Sequence, residues 1–288
     1  MKHHGAICFL VINTISELPK VAIRSALETS SLDIYIGYTN IEDIKELLLS
    51  ERIHPVDLSK SANPMLLTSV YQDFAQAAFY EIVQLKWELF GELLPKFDYL
   101  IYSDIDVIWF RDAAAYVESV FQASPEIDFL AQSFTEQIGK ELLCMGFVGM
   151  RNTVRTREFI ESCKSYHTEK FHGNNFLGDD EVLTERFQQV GRPNWIRELP
   201  QMFFPVGRML NLYATRPKFP GLSAPNPYIF HLNYVVGLRN KRIMLRTIKH
   251  LPNLRKLLPT YSELYWIVLL YLKRAKLALG TAKKNFSN

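Results

Sequence analysis

The chain has 288 residues, 48% of them hydrophobic and 22% charged, which excludes wholesale disorder and allows one large core or two small ones. Three cysteines, Cys8, Cys144 and Cys163, are too few and too scattered for a disulfide framework or a zinc site, so reduced buried thiols and a cytosolic location are expected. The net charge of +3 hides an asymmetry: from Arg239 to Asn288, seven Lys and five Arg face the single acid Glu263. The rest of the chain is therefore acidic, and the basic end calls for an anionic surface, membrane or nucleic acid.

In chain order, the apolar run at 6–14 predicts a first buried strand, its segment 6–12 being too short for a signal peptide or a membrane span. A helix is expected over 15–29, with Ser16 as its cap and Glu17 in its first turn. A second strand (32–38), a second helix (41–50) and a short third strand (53–58) follow. Residues 64–95, bounded by Pro64 and Pro95, carry apolar residues at helical spacing and deliver the chain into the strand that starts at Tyr99. This βαβαβα progression argues for an α/β fold with a parallel, doubly wound sheet, in which ligands bind beyond the carboxyl ends of the strands. Asn13, Thr14, Asp104 and Asp106 all fall at such ends. Further on come a helix (113–122), strands at 127–133 and 142–150, and a helix at 151–169. A Gly- and Asn-rich loop at 171–178 precedes a helix from Asp179 to about 189, and 193–228 reads as short strands and loops. Gly146 and Gly149 lie inside a strand, where glycine marks either the close approach of a ligand or backbone, or a bulge.

The organising stretch is 99–110, Tyr-Leu-Ile-Tyr-Ser-Asp-Ile-Asp-Val-Ile-Trp-Phe. Two apolar runs flank Asp104 and Asp106, and an extended backbone would put both carboxylates on one face. Like charges at the end of a core strand need neutralising, and carboxylate oxygens suit Mn²⁺ or Mg²⁺. The plainer explanation is a polar turn at a strand end. Asp179, Asp180 and Glu181 open a helix, where the dipole favours acids, but they also suit a site in which a carboxylate faces a reacting carbon or its hydroxyls. Finally, His231-x-Asn233-x-x-x-Gly237-x-x-x-Lys241 brings together a metal-competent imidazole, a glycine that lets backbone approach a phosphate, and a point charge for a leaving diphosphate.

Together the stretch from Leu100 to Trp109, Gly146-Phe147, Asp180-Glu181, and His231-Leu-Asn-Tyr-Val-Val-Gly237 with Lys241 resemble GT-A glycosyltransferases. The likeness is to the retaining nucleotide-diphospho-sugar transferases related to plant cell-wall galactosyl- and xylosyltransferases and to family-8 galactosyltransferases. It spans roughly residues 6 to 245 and implies a GT-A catalytic domain over 1–245 followed by a basic amphipathic helical tail over 246–288. By position, it implies that Asp104 contacts the donor and the metal, that Asp106 is the main metal carboxylate, and that His231 completes the protein ligands of Mn²⁺ or Mg²⁺. Gly237 and Lys241 would hold the diphosphate, Lys86 and Gly146 would reach the donor, and Asn13 and Thr14 would contact the uracil. Among Asp179, Asp180 and Glu181 a carboxylate would stabilise the cation-like anomeric centre. The chain departs from the family at Met145, where Asn is frequent, and at Glu181, where Gln is frequent. That leaves open whether Glu181 is a nucleophile, an electrostatic stabiliser or a bystander.

Two other readings compete. A haloacid-dehalogenase-type phosphohydrolase also carries Asp-x-Asp on a strand, but near the start of its core, whereas here three βα units precede it and the segment before Gly178 is polar. A non-catalytic binder of anionic surfaces would rest on the tail alone. In that tail, 261–272 is dominated by Leu, Ile, Val, Tyr and Trp266, with Lys273, Arg274, Lys276, Lys283 and Lys284 after it. This pattern suits docking on the cytoplasmic face of a membrane, so the expected partners are a nucleotide-sugar donor, a glycan or lipid-linked acceptor and anionic lipid, with no nucleic acid.

Overall fold

The computed structural model describes residues 4–12, 17–63, 77–137, 140–173, 176–201, 203–206, 227–233 and 241. Its centre is a seven-stranded sheet. The strands are β1 (Gly5–Val11), β2 (Ile34–Tyr38), β3 (Ile53–Asp57), β4 (Tyr99–Ser103), β6 (Phe129–Gln137), β7 (Lys140–Arg151) and β8 (Ile196–Glu198), while β5 (Val107–Trp109) and β9 (Ile229–His231) form a separate ribbon. The order across the sheet is β3-β2-β1-β4-β7-β6-β8. The β1–β2, β2–β3, β1–β4 and β6–β8 pairs are parallel; β7 runs antiparallel to both β4 and β6. The sheet is thus mostly parallel but mixed, because β6 and β7 form a hairpin whose second strand inserts beside β4.

Alternation along β1 shows how the sheet is buried on both faces. Ala6, Cys8 and Leu10 enter one core, with Leu85, Trp87 and Phe90 of α2 (Ala77–Leu93) and Phe159 and Cys163 of α4 (Val154–His172). Ile7, Phe9 and Val11 enter the other, with Ala22 and Ile23 of α1 (Glu17–Thr29) and Val117 and Phe121 of α3 (Ala113–Ala123). A strand with apolar residues at every position has no polar face to turn to water, so helices must cover both sides. A fifth helix, α5 (Asp179–Gln189), packs on β7. All three cysteines are buried and free.

The helix expected at 41–50 is not formed. A short 3₁₀ turn, Ile41–Asp43, capped by the Asn40 side chain on the Glu42 N–H, is followed by turns. The segment buries only Ile44 fully, and Leu49 is exposed, so no continuous apolar stripe holds a helix against the sheet. Ser16 lies outside the described residues, as do 64–76 and 242–288. Among the described residues, no helix is long and apolar enough to cross a membrane.

Candidate active site

The parallel strands β1 and β4 point their carboxyl ends to one edge, and the chain leaving β4 carries the two aspartates. It does not remain extended: the Val107 N–H turns back to donate to the Asp104 C=O at 3.1 Å, so Asp104 and Asp106 occupy a tight turn between β4 and β5. The turn still gathers both carboxylates, because β5 pairs with β9 in a register that sets Val107 opposite His231. The Leu232 N–H donates to the Asp106 C=O at 3.0 Å, locking the two strand ends together.

His231 Nε2 lies 3.2 Å from Asp106 Oδ1 and 3.8 Å from Asp104 Oδ2. One ligand atom from each of the three side chains falls within a 4.8 Å span. Two carboxylate oxygens and an imidazole nitrogen are a donor set that suits Mn²⁺ or Mg²⁺. Lys241 Nζ meets Asp106 Oδ2 at 2.6 Å. Burial alone would raise the Asp106 carboxyl, but Lys241 and His231 beside it hold it well below the usual carboxylate range. Burial pulls His231 down, and Asp106, with help from Asp104 and Asp180, overrides this and raises it.

Gly146 has a concrete reason to be glycine. A Cβ built there would overlap the His231 imidazole, so the ring occupies the space where any side chain would stand. A register shift between Ala131 and Gln132 bulges β7 away from β6 at this point, while the Gly146 C=O accepts the Asp104 N–H at 2.8 Å. Gly149 instead makes room for Val117 of α3. Gly146 therefore seats the His231 ring.

A second cluster adjoins the first. Lys86, buried in α2, lies 3.0 Å from Asp104 Oδ1, forms an ion pair with Asp179 and sits 4.9 Å from the Tyr102 ring centroid. Burial would lower its ammonium, but Asp104 and Asp179 raise it well above its ordinary value, so it stays charged. The Tyr102 hydroxyl donates to Asp104 Oδ1 at 2.5 Å. Asp180 turns the other way and accepts the Met145 N–H at 2.6 Å. Burial and the neighbouring Asp179 push its carboxyl up to about 7, against the opposing pull of that N–H. Glu181 is exposed and accepts the Gly178 N–H at 2.7 Å, the reach-back bond of a helix N-terminus.

The three acids at the start of α5 thus divide their work: Asp179 pairs with Lys86, Asp180 holds β7, and Glu181 caps the helix. Lys86, Asp104, Asp106, Gly146, Asp179, Asp180, His231 and Lys241 come together in the structure, whereas Asn13, Thr14 and Gly237 lie outside the described residues. Sequence reasoning missed Tyr102 and Gln132, the latter 3.1 Å from His231 Nδ1. The available signal was a lone Gln inside the apolar run Phe129-Leu-Ala-Gln-Ser, since a buried amide needs partners.

The fold is that of known sugar transferases. The structure of the galactosyltransferase LgtC in complex with donor and acceptor sugar analogs superposes with a TM-score of 0.57 at 12% identity, covering 84% of this chain and 95% of that one. Mouse xyloside xylosyltransferase 1 in its apo form gives a TM-score of 0.53 at 12% identity, covering 80% and 98%. A search of curated proteins finds no match. The model of the nucleotide-diphospho-sugar transferase family matches residues 44–245, a span that carries the β4 aspartates, the α5 acids and the segment from His231 to Lys241. The chain belongs to the nucleotide-diphospho-sugar transferase family and is a glycosyltransferase of GT-A fold.

Proposed function

We propose that the enzyme transfers a sugar from a UDP-sugar to a hydroxyl of a glycan or lipid-linked acceptor, with retention at the anomeric carbon and with Mn²⁺ or Mg²⁺ held by Asp104, Asp106 and His231. The observation that carries this reading is the convergence of those three side chains, with Lys241, at the carboxyl end of β4. LgtC, crystallised with donor and acceptor sugar analogs, supports the substrate class. Retention rests on the family resemblance set out above. The haloacid-dehalogenase alternative gives way to the family assignment, and β4 follows three parallel strands instead of opening the core.

When bound, a divalent cation supplies positive charge for a leaving diphosphate. The chain's own contribution is electrostatic. Lys241, seated on Asp106, brings a second positive charge to the same place. Lys86 orients Asp104 and Asp179 toward the donor side. Asp180, half-buried beside β7, is the carboxylate assigned to stabilise a cation-like anomeric centre: its Oδ1 accepts the Met145 N–H, which leaves Oδ2 for the substrate, and positive charge developing there would favour its ionised form. Asn13, Thr14 and Gly237 complete the proposal as uracil and diphosphate contacts.

The same reading assigns residues 1–245 to catalysis and the basic segment 246–288 to docking on anionic lipid at the cytoplasmic face. The test of function is a donor screen in which release of the nucleoside diphosphate is measured across UDP- and GDP-sugars, with Mn²⁺ and with chelator, beside a generic phosphomonoester. Manganese-dependent release of UDP from one UDP-sugar is expected. Turnover of the phosphomonoester alone would sink the reading.

A further inference from the structure

Beneath the metal-ligating face of His231 lies a polar pair in an otherwise apolar core. Gln132, fully buried on β6, has its two amide ends committed in different directions. Its Nε2 donates to the Phe204 C=O at 3.1 Å. A carbonyl only accepts, so this contact fixes which end of the amide is nitrogen and leaves Oε1 facing His231 Nδ1 at 3.1 Å. An amide oxygen likewise only accepts, so Nδ1 must carry a hydrogen. The other ring nitrogen, Nε2, faces Asp104 and Asp106; without a metal it donates to Asp106 Oδ1 at 3.2 Å, and its proton is the one that a metal ion bound there would displace. Phe204 is itself held, its N–H donating to the Pro200 C=O at 3.0 Å and its ring stacked at 5.4 Å on Tyr228.

We infer that Gln132 is a positioning residue that fixes the His231 tautomer and ring orientation, so that Nε2 is preset as a metal ligand. The inference rests on the metal reading above for its functional consequence, and on the Gln132 contacts for its geometry. Cys144 Sγ also approaches Nδ1, at 3.6 Å, but a thiol that burial holds protonated is a weak acceptor beside an amide oxygen. Gly146 sets how close the ring lies to β7, and Gln132 sets which nitrogen faces the aspartates.

The test uses the full chain and two readouts. Mn²⁺ affinity is measured from the free-ion electron paramagnetic resonance signal. The His231 tautomer is read by long-range ¹H–¹⁵N correlation with Mg²⁺, and its Nδ1–H hydrogen bond is read separately without metal. Gln132→Leu is expected to bind Mn²⁺ about 10–100-fold more weakly, the usual cost of losing a partner of a ligating histidine, and to lose the single Nδ1–H tautomer. Gln132→Glu keeps an acceptor on Nδ1 and is expected to stay within about threefold of wild type in Mn²⁺ affinity, although it forfeits the bond to Phe204 and melts lower. Cys144→Ala is expected to change neither readout. Wild-type affinity in Gln132→Leu, an unchanged tautomer in that variant, or equal loss in Gln132→Glu and Gln132→Leu would overturn the inference. A wild-type chain that binds no Mn²⁺ would fail the metal reading, and the hydrogen-bonded Nδ1–H of metal-free His231, present in wild type and lost in Gln132→Leu, then decides the role of Gln132 by itself.

Discussion

Asp180→Asn isolates the charge that the site can least accommodate. Burial and Asp179 push this carboxyl from its ordinary 3.8 up to about 7. Between about pH 4 and pH 7 the folded protein therefore holds a proton that the unfolded chain has released, and linkage makes the contribution of Asp180 to stability fall as pH rises through that window. The interval corresponds to a ceiling of about 4 kcal/mol. Asp180 is half-buried and Lys86 offsets its neighbour Asp179, so solvent and counter-charge reduce the expected effect to about 2 kcal/mol. His231, whose imidazole is raised by Asp106, acts in the same direction: its stabilisation is complete below the unfolded value of 6.5 and is lost as pH climbs through the folded one. Asp180 is among the charges that raise His231, so the difference between wild type and variant reports Asp180 together with its coupling to that imidazole. The assay is urea unfolding in chelator from pH 4.5 to 8.5. Asn keeps an oxygen for the Met145 N–H, so the two proteins should agree within about 0.5 kcal/mol at pH 4.5 and diverge by about 2 kcal/mol, variant more stable, at pH 8.5. Transfer by the variant should fall while UDP binding persists. A difference in stability that does not change with pH would refute the placement of this charge.

Gly146→Ala drives a Cβ into the His231 ring; it should cost about 1–3 kcal/mol by overpacking and weaken Mn²⁺ binding at least tenfold, read by thermal melting and metal titration. Lys241→Ala should lower kcat more than it weakens acceptor binding, because leaving-group charge grows toward the transition state; unchanged kcat with weaker acceptor binding would contradict this. Glu181→Gln keeps an acceptor for the Gly178 N–H, so activity should hold, with a loss of up to about 1 kcal/mol from the helix N-terminus in urea unfolding. The full-length chain should sediment with anionic liposomes at low salt and less at high salt, a truncation near Pro259 should not, and equal sedimentation of the two would remove the membrane from the account.

Much of this site could be read before the fold was known, because a turn that gathers carboxylates leaves polar residues where apolar ones belong. Asp104 and Asp106 interrupt an apolar run, and His231 follows one. The geometry that joins them could not be read there. Asp104 and Asp106 share the site through a turn and the β5–β9 ribbon, not through strand alternation, since ribbon pairing over more than a hundred residues leaves no local periodicity. The antiparallel insertion of β7 was missed for the same reason. The acids of α5 looked alike in sequence, and only their partners separate them: an ammonium for Asp179, a strand N–H for Asp180 and the helix's own first turn for Glu181. The helix expected at 41–50 failed on packing, its apolar residues having too little sheet to cover.

Asp106 is the residue proposed to hold a catalytic metal ion. The most direct measurement is UDP release from the preferred UDP-sugar by wild type and Asp106→Asn, each with Mn²⁺ and with chelator, with circular dichroism confirming that both are folded. Wild-type turnover should be abolished by chelator and restored by Mn²⁺, and the variant should remain inactive at every Mn²⁺ concentration. A variant turning over near the wild-type rate, or wild type turning over at full rate in chelator, would contradict the metal site.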